Sequence, residues 1–186
     1  MARHQTRKKR RFVYAYHEHL YTPTTFRAIQ RLCRLIPTSS MKLDLEPTAA
    51  GRLTYSFEKG DPRIDQIVNN ELIHAVRFVT GIPTLELCTE IPIEYRTYGP
   101  GASMNWHMDR QMLPHQLQYE CVITLHNTSD SETLLKHKTR IQHLRPEPNS
   151  LFVVRARGIQ HSVSPLTKGS RSILKIAFKR NLPLKE

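Results

Sequence analysis

The sequence predicts an α+β domain in which helices and a hairpin come first and a strand sandwich follows. Three observations carry that expectation. Residues 91–98 (IPIEYRTY), 120–126 (ECVITLH), 150–156 (SLFVVRA) and 172–178 (SILKIAF) are short β-branched and aromatic runs bounded by turn signals, so they read as strands. Apolar residues at helical spacing are confined to the first half of the chain. The length, 186 residues without an internal repeat, suits one unit able to bury a sizeable core.

Taken in order, residues 1–11 read as a basic disordered tail and 12–186 as a single domain, with a helical and hairpin support at 12–90 and the strand core at 91–180. Thr22-Pro23 starts a helix that places Phe26, Ile29, Leu32, Cys33 and Ile36 on one side. Residues 41–46 and 52–58 alternate in polarity around Pro47–Gly51 and read as a strand pair. Asp61-Pro62 begins a second helix, which Gly81-Ile82-Pro83 ends; Ile64, Ile67, Val68, Leu72, Val76 and Val79 keep the helical period. Helices preceding strands are expected to pack on the outside of the sandwich. Residues 110–119 and 127–149 read as loops.

Composition narrows the class. The net charge is +12, and the chain opens with Arg3, Arg7, Lys8, Lys9, Arg10 and Arg11. Such a cluster suits nucleic-acid contact or nuclear entry; a solvated tail without a specific partner is the competing account. Basic residues persist through Lys136, Lys138, Arg140, Arg145, Arg155, Arg157, Lys168, Lys179 and Arg180, which favours an anionic substrate or partner. No apolar run is long enough to span a bilayer and no secretory segment is visible, so no membrane partner is expected. Cys33, Cys88 and Cys121 stand isolated, which argues for a reducing compartment, buried thiols and an intracellular setting, cytoplasm or nucleus.

The chemistry-bearing residues lie in the second half. His107 and Asp109 are two apart, so an extended chain points both to one face. With the distant His161 they make the minimal ligand set of a facial Fe(II) site, which leaves three coordination positions open. Arg171 follows ten residues later. Positions 161 and 171 are symmetric about Leu166, so a turn at Pro165–Gly169 is expected to set them opposite each other across a hairpin, facing one interior. A guanidinium there can hold one end of a diacid whose other end meets the metal. Any lone His among the ten is more often a core or surface residue; the set of four is the informative signal.

These residues carry a resemblance. The segment Tyr98-Gly99-Pro100-Gly101-Ala102-Ser103-Met104-Asn105-Trp106-His107-Met108-Asp109 resembles the entry to the metal site of the prolyl and lysyl hydroxylase branch of the 2-oxoglutarate oxygenases. So does the tail from His161 through Pro165-Leu166-Thr167-Lys168-Gly169-Ser170-Arg171 to Ile173. Collagen prolyl hydroxylases are similar in the Tyr–Gly–His-x-Asp spacing but usually carry Lys at the position of Arg171; lysyl hydroxylases are similar in the turn, Arg included. Asp130-Ser131-Glu132-Thr133 stands where a Gly-Gly-Glu-Thr sequence is common, after the strand around Val122–His126. The resemblance covers about residues 91–180.

The resemblance implies a double-stranded β-helix, jelly-roll and cupin-like, with the N-terminal helices as support. It implies Fe(II) on His107, Asp109 and His161, with 2-oxoglutarate and O2 as co-substrates and ascorbate left open as an accessory. Arg171 would bind the distal carboxylate, with the Tyr98 hydroxyl as a second donor. Met104 departs from the pattern, because prolyl hydroxylases often place a co-substrate-binding Tyr there. Lys175, four residues beyond Arg171 on the same inward face, needs a partner: the co-substrate, an anionic substrate or solvent at the strand end. Tyr95, Trp106 and Phe152 are candidate walls, and His115 and His126 candidate extra pocket groups. The expected activity is hydroxylation of a protein or peptide side chain with release of succinate and CO2. The alternatives are oxidative demethylation of nucleic acid, favoured by charge, and a noncatalytic basic module that binds nucleic acid. Oligomeric state is not legible.

Overall fold

The computed structural model describes residues 12–181; the basic cluster at 1–11 lies outside the described residues. Strand β1 (Tyr14–His17) is followed by helix α1 (Pro23–Arg34), the short pair β2 (Lys42–Leu43) and β3 (Ala49–Ser56), and helices α2 (Arg63–Ile67) and α3 (Asn70–Thr80). Then come β4 (Glu86–Leu87), β5 (Glu94–His107), β6 (Gln116–Asn127), β7 (Thr133–His137), β8 (Arg140–Leu144), β9 (Ser150–Arg155), β10 (Gln160–Val163) and β11 (Arg171–Asn181).

β5 organises the whole. Its first half, from Glu94 to Tyr98, pairs with β11, which continues through β6 and β9 to β1 as the larger sheet. Its second half pairs with β10, which continues through β7 to β8 as the smaller sheet. β3 runs along the other edge of both halves. The chain bends at Gly99–Gly101, where Gly101 adopts φ +86 and exchanges backbone hydrogen bonds with the Leu166 region: Gly101 N donates to Leu166 O and Leu166 N to Ala102 O. The two sheets fold over one another at that corner, giving the double-stranded β-helix. Leu135 of β7, Phe152 and Val154 of β9 and Ile159 join in one buried cluster between the sheets.

Strand alternation sorts each inner strand into two faces. On the larger sheet Tyr95, Tyr119, Cys121, Ile123, Leu151, Val153, Leu174, Ile176 and Phe178 point outward and meet the helices in the main core. Arg96, Tyr98, Glu120, Val122, Phe152, Arg171, Ile173 and Lys175 point into the cleft between the sheets. The helices therefore cover the outer face, as their position in the sequence suggests. Thr22 caps α1 with its side chain accepting from Thr25 N, and Pro23 occupies the first turn, where its missing N–H costs nothing. Gln30 Nε2 donates to Leu125 O at 2.6 Å, fixing α1 to the sheet.

Four expectations need correction. The single helix from Asp61 to Gly81 is two helices: Val68 leaves the helical region, and Asn69 restarts the chain as an N-cap accepting from Leu72 N at 3.2 Å. Residues 127–149 are not all loop, because β7 and β8 form a hairpin there; β8 is almost wholly exposed, so no apolar alternation marks it. Gly51 is not in the connection between β2 and β3. It sits inside β3 at a register shift opposite β5, with φ +62. Finally, β10 and β11 do not form a hairpin. Both run along the same edge of β5, one after the other, His161 opposite His107 and Arg171 opposite Tyr98.

No helix among the described residues is long and apolar enough to cross a membrane. All three cysteines are free and buried; burial pushes the Cys33 thiol up to about 12, beyond reactive use at neutral pH.

Candidate metal and co-substrate site

His107 ends β5, Asp109 follows on the departing loop, and His161 lies opposite His107 on β10. One ligand atom from each of the three falls within 4.8 Å of the others, and the two imidazole rings are 4.3 Å apart. The outer nitrogens are occupied. His107 Nδ1 donates to Asn105 O at 2.8 Å and His161 Nδ1 to Ile159 O at 3.2 Å, which leaves both Nε2 lone pairs turned inward. Asp109 Oδ2 is buried without a hydrogen bond among the described residues, 3.6 Å from His161 Nε2. Burial, joined by the His161 ring beside it, holds His107 below its ordinary value and hence neutral, as a ligand must be. Two imidazoles with their outer nitrogens occupied and an unsatisfied carboxylate oxygen make a donor set that fits a divalent iron ion with open positions.

Arg171 lies deeper in the cleft and is 4% exposed. Its Nη1 donates to Thr133 Oγ1 at 3.2 Å, its Nε is buried without an acceptor, and among the described residues no carboxylate pairs with it. Burial pulls its basicity below the ordinary arginine value, which measures how poorly the protein alone solvates this cation. Tyr98 lies under the guanidinium, 5.9 Å from Cζ to the ring centre. The Tyr98 hydroxyl accepts from Arg52 Nη1 at 3.1 Å and, among the described residues, has only the Met104 thioether, 3.7 Å away, to receive its proton. It therefore keeps a proton for a better acceptor. Val122, Val163 and Ile173 supply apolar walls between Arg171 and the triad.

The cleft brings together His107, Asp109, His161, Arg171, Tyr98 and Lys175. Of the three proposed wall residues only Phe152 lines it, its ring 6.2 Å from that of His161. Tyr95 belongs to the outer core and Trp106 is 40% exposed. His115 is exposed with φ +62, and His126 makes a hydrogen bond with Thr128; neither lines the cleft. Thr133, the last residue of Asp130-Ser131-Glu132-Thr133, has its role through Arg171, while Asp130 caps the Thr167–Lys168 turn that leads to Arg171.

Arg52 escaped the sequence reading. It is 1% exposed, held by Asp44 Oδ2 at 2.6 Å and 2.9 Å, and it reaches both Tyr98 and Met104 Sδ. It arrives from β3 and stands beside Tyr98 and Met104. A signal was available, because Asp44 and Arg52 lie on the two strands of the expected pair, with Asp44 N donating to Arg52 O. Glu120 and Arg96, charged residues in apolar strands, were the other clues.

No protein-family model matches the sequence, and no curated protein sequence does. Solved structures do match. A prolyl-4-hydroxylase from Pseudomonas putida superposes with TM-score 0.71 over 91% of this chain and 93% of its own, at 17% identity. The viral collagen prolyl hydroxylase of Paramecium bursaria Chlorella virus-1, solved with 2-oxoglutarate, gives 0.63 over 90% and 96%, at 13% identity. A prolyl hydroxylase from Trichoplax adhaerens, solved with a peptide fragment of a hypoxia inducible factor, gives 0.70 over 89% and 82%, at 11% identity. The chain has the fold of the 2-oxoglutarate and Fe(II) oxygenases.

Proposed function

We propose that the chain is an Fe(II)- and 2-oxoglutarate-dependent dioxygenase that hydroxylates an unactivated C–H bond on a protein or peptide side chain. The balance is substrate C–H, 2-oxoglutarate and O2 to substrate C–OH, succinate and CO2. The observation that carries this reading is Arg171. A buried cation without a counter-ion is expensive unless a ligand brings the charge, and this one lies in the same cleft as the triad. A diacid meets both requirements, one carboxylate at the triad and the other on the guanidinium.

His107, Asp109 and His161 would hold the iron, the imidazoles locked in orientation by the Asn105 and Ile159 carbonyls. Fe(II), when bound, supplies the activation of O2 and of the keto acid. The chain's own residues bind and orient. Arg171 and the Thr133 and Tyr98 hydroxyls converge on the distal carboxylate, and Val122, Phe152, Val163 and Ile173 keep water from the reacting carbon. The peptide-bound Trichoplax neighbour supports a peptide as substrate.

The test is succinate formation from 2-oxoglutarate with Fe(II) and O2, together with Fe(II)-dependent binding of 2-oxoglutarate. Asp109→Ala is expected to abolish turnover and Arg171→Ala to raise the co-substrate requirement by an order of magnitude or more. A native chain that neither forms succinate nor binds 2-oxoglutarate in the presence of iron sinks this reading and promotes the basic binding module.

A further inference from the structure

Beside the triad the cleft opens into a second cavity, about 330 Å³, lined by His107 and Asp109 and by Arg52, Arg96, Glu120 and Lys175. The Lys175 ammonium lies 3.4 Å from Glu120 Oε2, longer than the roughly 2.7–2.9 Å of a charge-assisted hydrogen bond. Glu120 is 2% exposed; Gln118 Nε2 donates to its Oε1 at 2.5 Å, while Oε2 is buried with no hydrogen bond. Arg96 gives one Nη to Glu94, but its Nε is buried and lacks an acceptor. The Arg96 Nε thus stands unsatisfied, and the Lys175 ammonium is only loosely paired and partly open to solvent, at the wall of a cavity that touches the triad.

The Lys175 ammonium is out of reach of the co-substrate. Lys175 is four residues along β11 from Arg171, about 13 Å at the rise of a strand. Its ammonium leans further off, toward Glu120, which pairs with Ala177. With C–C bonds of about 1.5 Å, a five-carbon diacid spans only about 5–6 Å between its carboxyl carbons. A diacid anchored on Arg171 and ending at the triad leaves Lys175 for another ligand, and Arg96 lines the same second cavity as Lys175.

The approach to this cavity is also cationic. Arg110 follows the Asp109 ligand on the cavity wall, and Arg157 N donates to Asp109 O; both side chains are exposed. Exposed Glu46 is the one carboxylate on the cavity wall besides Asp109 and Glu120. Such a rim draws anions toward the opening.

We propose that Lys175 and Arg96 bind a carboxylate of the substrate to be hydroxylated, Glu120 being the resident counter-ion that this carboxylate displaces from Lys175. This rests on the dioxygenase reading above. An acidic peptide side chain and a free carboxylic acid share that chemistry, and the test separates them.

The full chain, with Fe(II), 2-oxoglutarate and O2, is given four probes: a blocked hexapeptide of Glu and Gly, its Gln counterpart, free leucine and leucinamide. A single-stranded DNA oligonucleotide is the fifth. One carboxylate-bearing probe is expected to raise succinate formation, its amide partner about tenfold less; the responding pair names the source. Lys175→Met and Arg96→Gln should bring the two members of that pair within about twofold of each other. The double variant Lys175→Met with Glu120→Gln, which strands no buried charge, should do the same. A readout without turnover is calorimetric binding of the responding probe to the chain loaded with Mn(II) and 2-oxoglutarate, expected to weaken about tenfold in the double variant. Equal response to acid and amide, response to the oligonucleotide alone, or background succinate that no probe raises overturns the proposal. Absence of both succinate and iron-dependent 2-oxoglutarate binding overturns the dioxygenase reading itself, and the carboxylate site falls with it.

Discussion

Arg171 is a buried cation whose only hydrogen-bond partner among the described residues is the neutral hydroxyl of Thr133, so the ligand-free chain is strained in its favour. Removing such a charge in favour of an apolar side chain of similar length often stabilises. Arg171→Met should therefore raise the stability of the ligand-free chain by about 1–2 kcal/mol while losing any stabilisation by added 2-oxoglutarate, both read from melting curves with and without the diacid. A destabilised Arg171→Met chain would argue that the guanidinium is structural. Arg52 behaves in the opposite sense, because its partner stays behind. Arg52→Met leaves Asp44 without the guanidinium that, with the Glu46 N–H, outweighs burial and holds its carboxyl below the ordinary range. A loss of about 3 kcal/mol in denaturant is expected, with a weakened 2-oxoglutarate affinity as Tyr98 loses its anchor. At this scale the sequence was legible in grouping two His, one Asp and one Arg by their spacing, since the fold brings all four into one cleft. For Arg52, Arg96 and Glu120 it held only the clue of a charge in a strand, because such a residue shows its inward direction only once the register is known.

Elements matter here chiefly through corners and register. The expected hairpin at Pro165–Gly169 brings Arg171 and His161 to one interior, and so does the observed arrangement, but through β5. His161 faces His107 and Arg171 faces Tyr98, so the ten residues from Tyr98 to His107, bent at Gly99–Gly101, set how far apart metal and guanidinium stand. A local pattern cannot reveal this, because symmetric spacing about a turn is the same whether the two arms pair with each other or both with a third strand. The amphipathic helices and the four apolar strands were legible from periodicity; β7 and β8 were not, since one has short polar ends and the other lies exposed. Gly169 tests the corner. It holds φ +72, and a Cβ there would overlap Thr128 O, a backbone atom that cannot swing aside. Gly169→Ala should cost about 2 kcal/mol or more and should raise the 2-oxoglutarate requirement more than it lowers the maximal rate, because it displaces the start of β11 and Arg171 with it. An unchanged melting temperature would mean that the 164–170 segment adapts freely and does not fix Arg171. Asn69→Ala, at the start of α3 and far from the cleft, should cost about 1 kcal/mol through its lost cap and leave co-substrate affinity alone.

For the whole molecule, charge and burial meet at Glu120. Burial, the largest influence on it, raises its carboxyl above the ordinary glutamate value of 4.5, opposed by Lys175 and by Gln118. In the window between that value and the higher folded one, the native chain binds more protons than the unfolded chain. Stability contributed by this residue is accordingly greatest below the window and falls as pH rises through it. This is opposite in sign to Asp44, whose carboxyl is held below its ordinary range and which loses its contribution as pH falls. In a chain of net charge +12, protonating carboxylates at low pH adds to self-repulsion, so the overall acid limb should still slope toward unfolding. Glu120→Gln removes only the opposing component. Denaturation followed from pH 4.5 upward should show the variant gaining on the parent chain as pH rises, with the difference shrinking toward the acid end. A difference that is constant across pH would mean that Glu120 stays ionised in both states, held by Lys175 as a full ion pair that a substrate carboxylate would have to break.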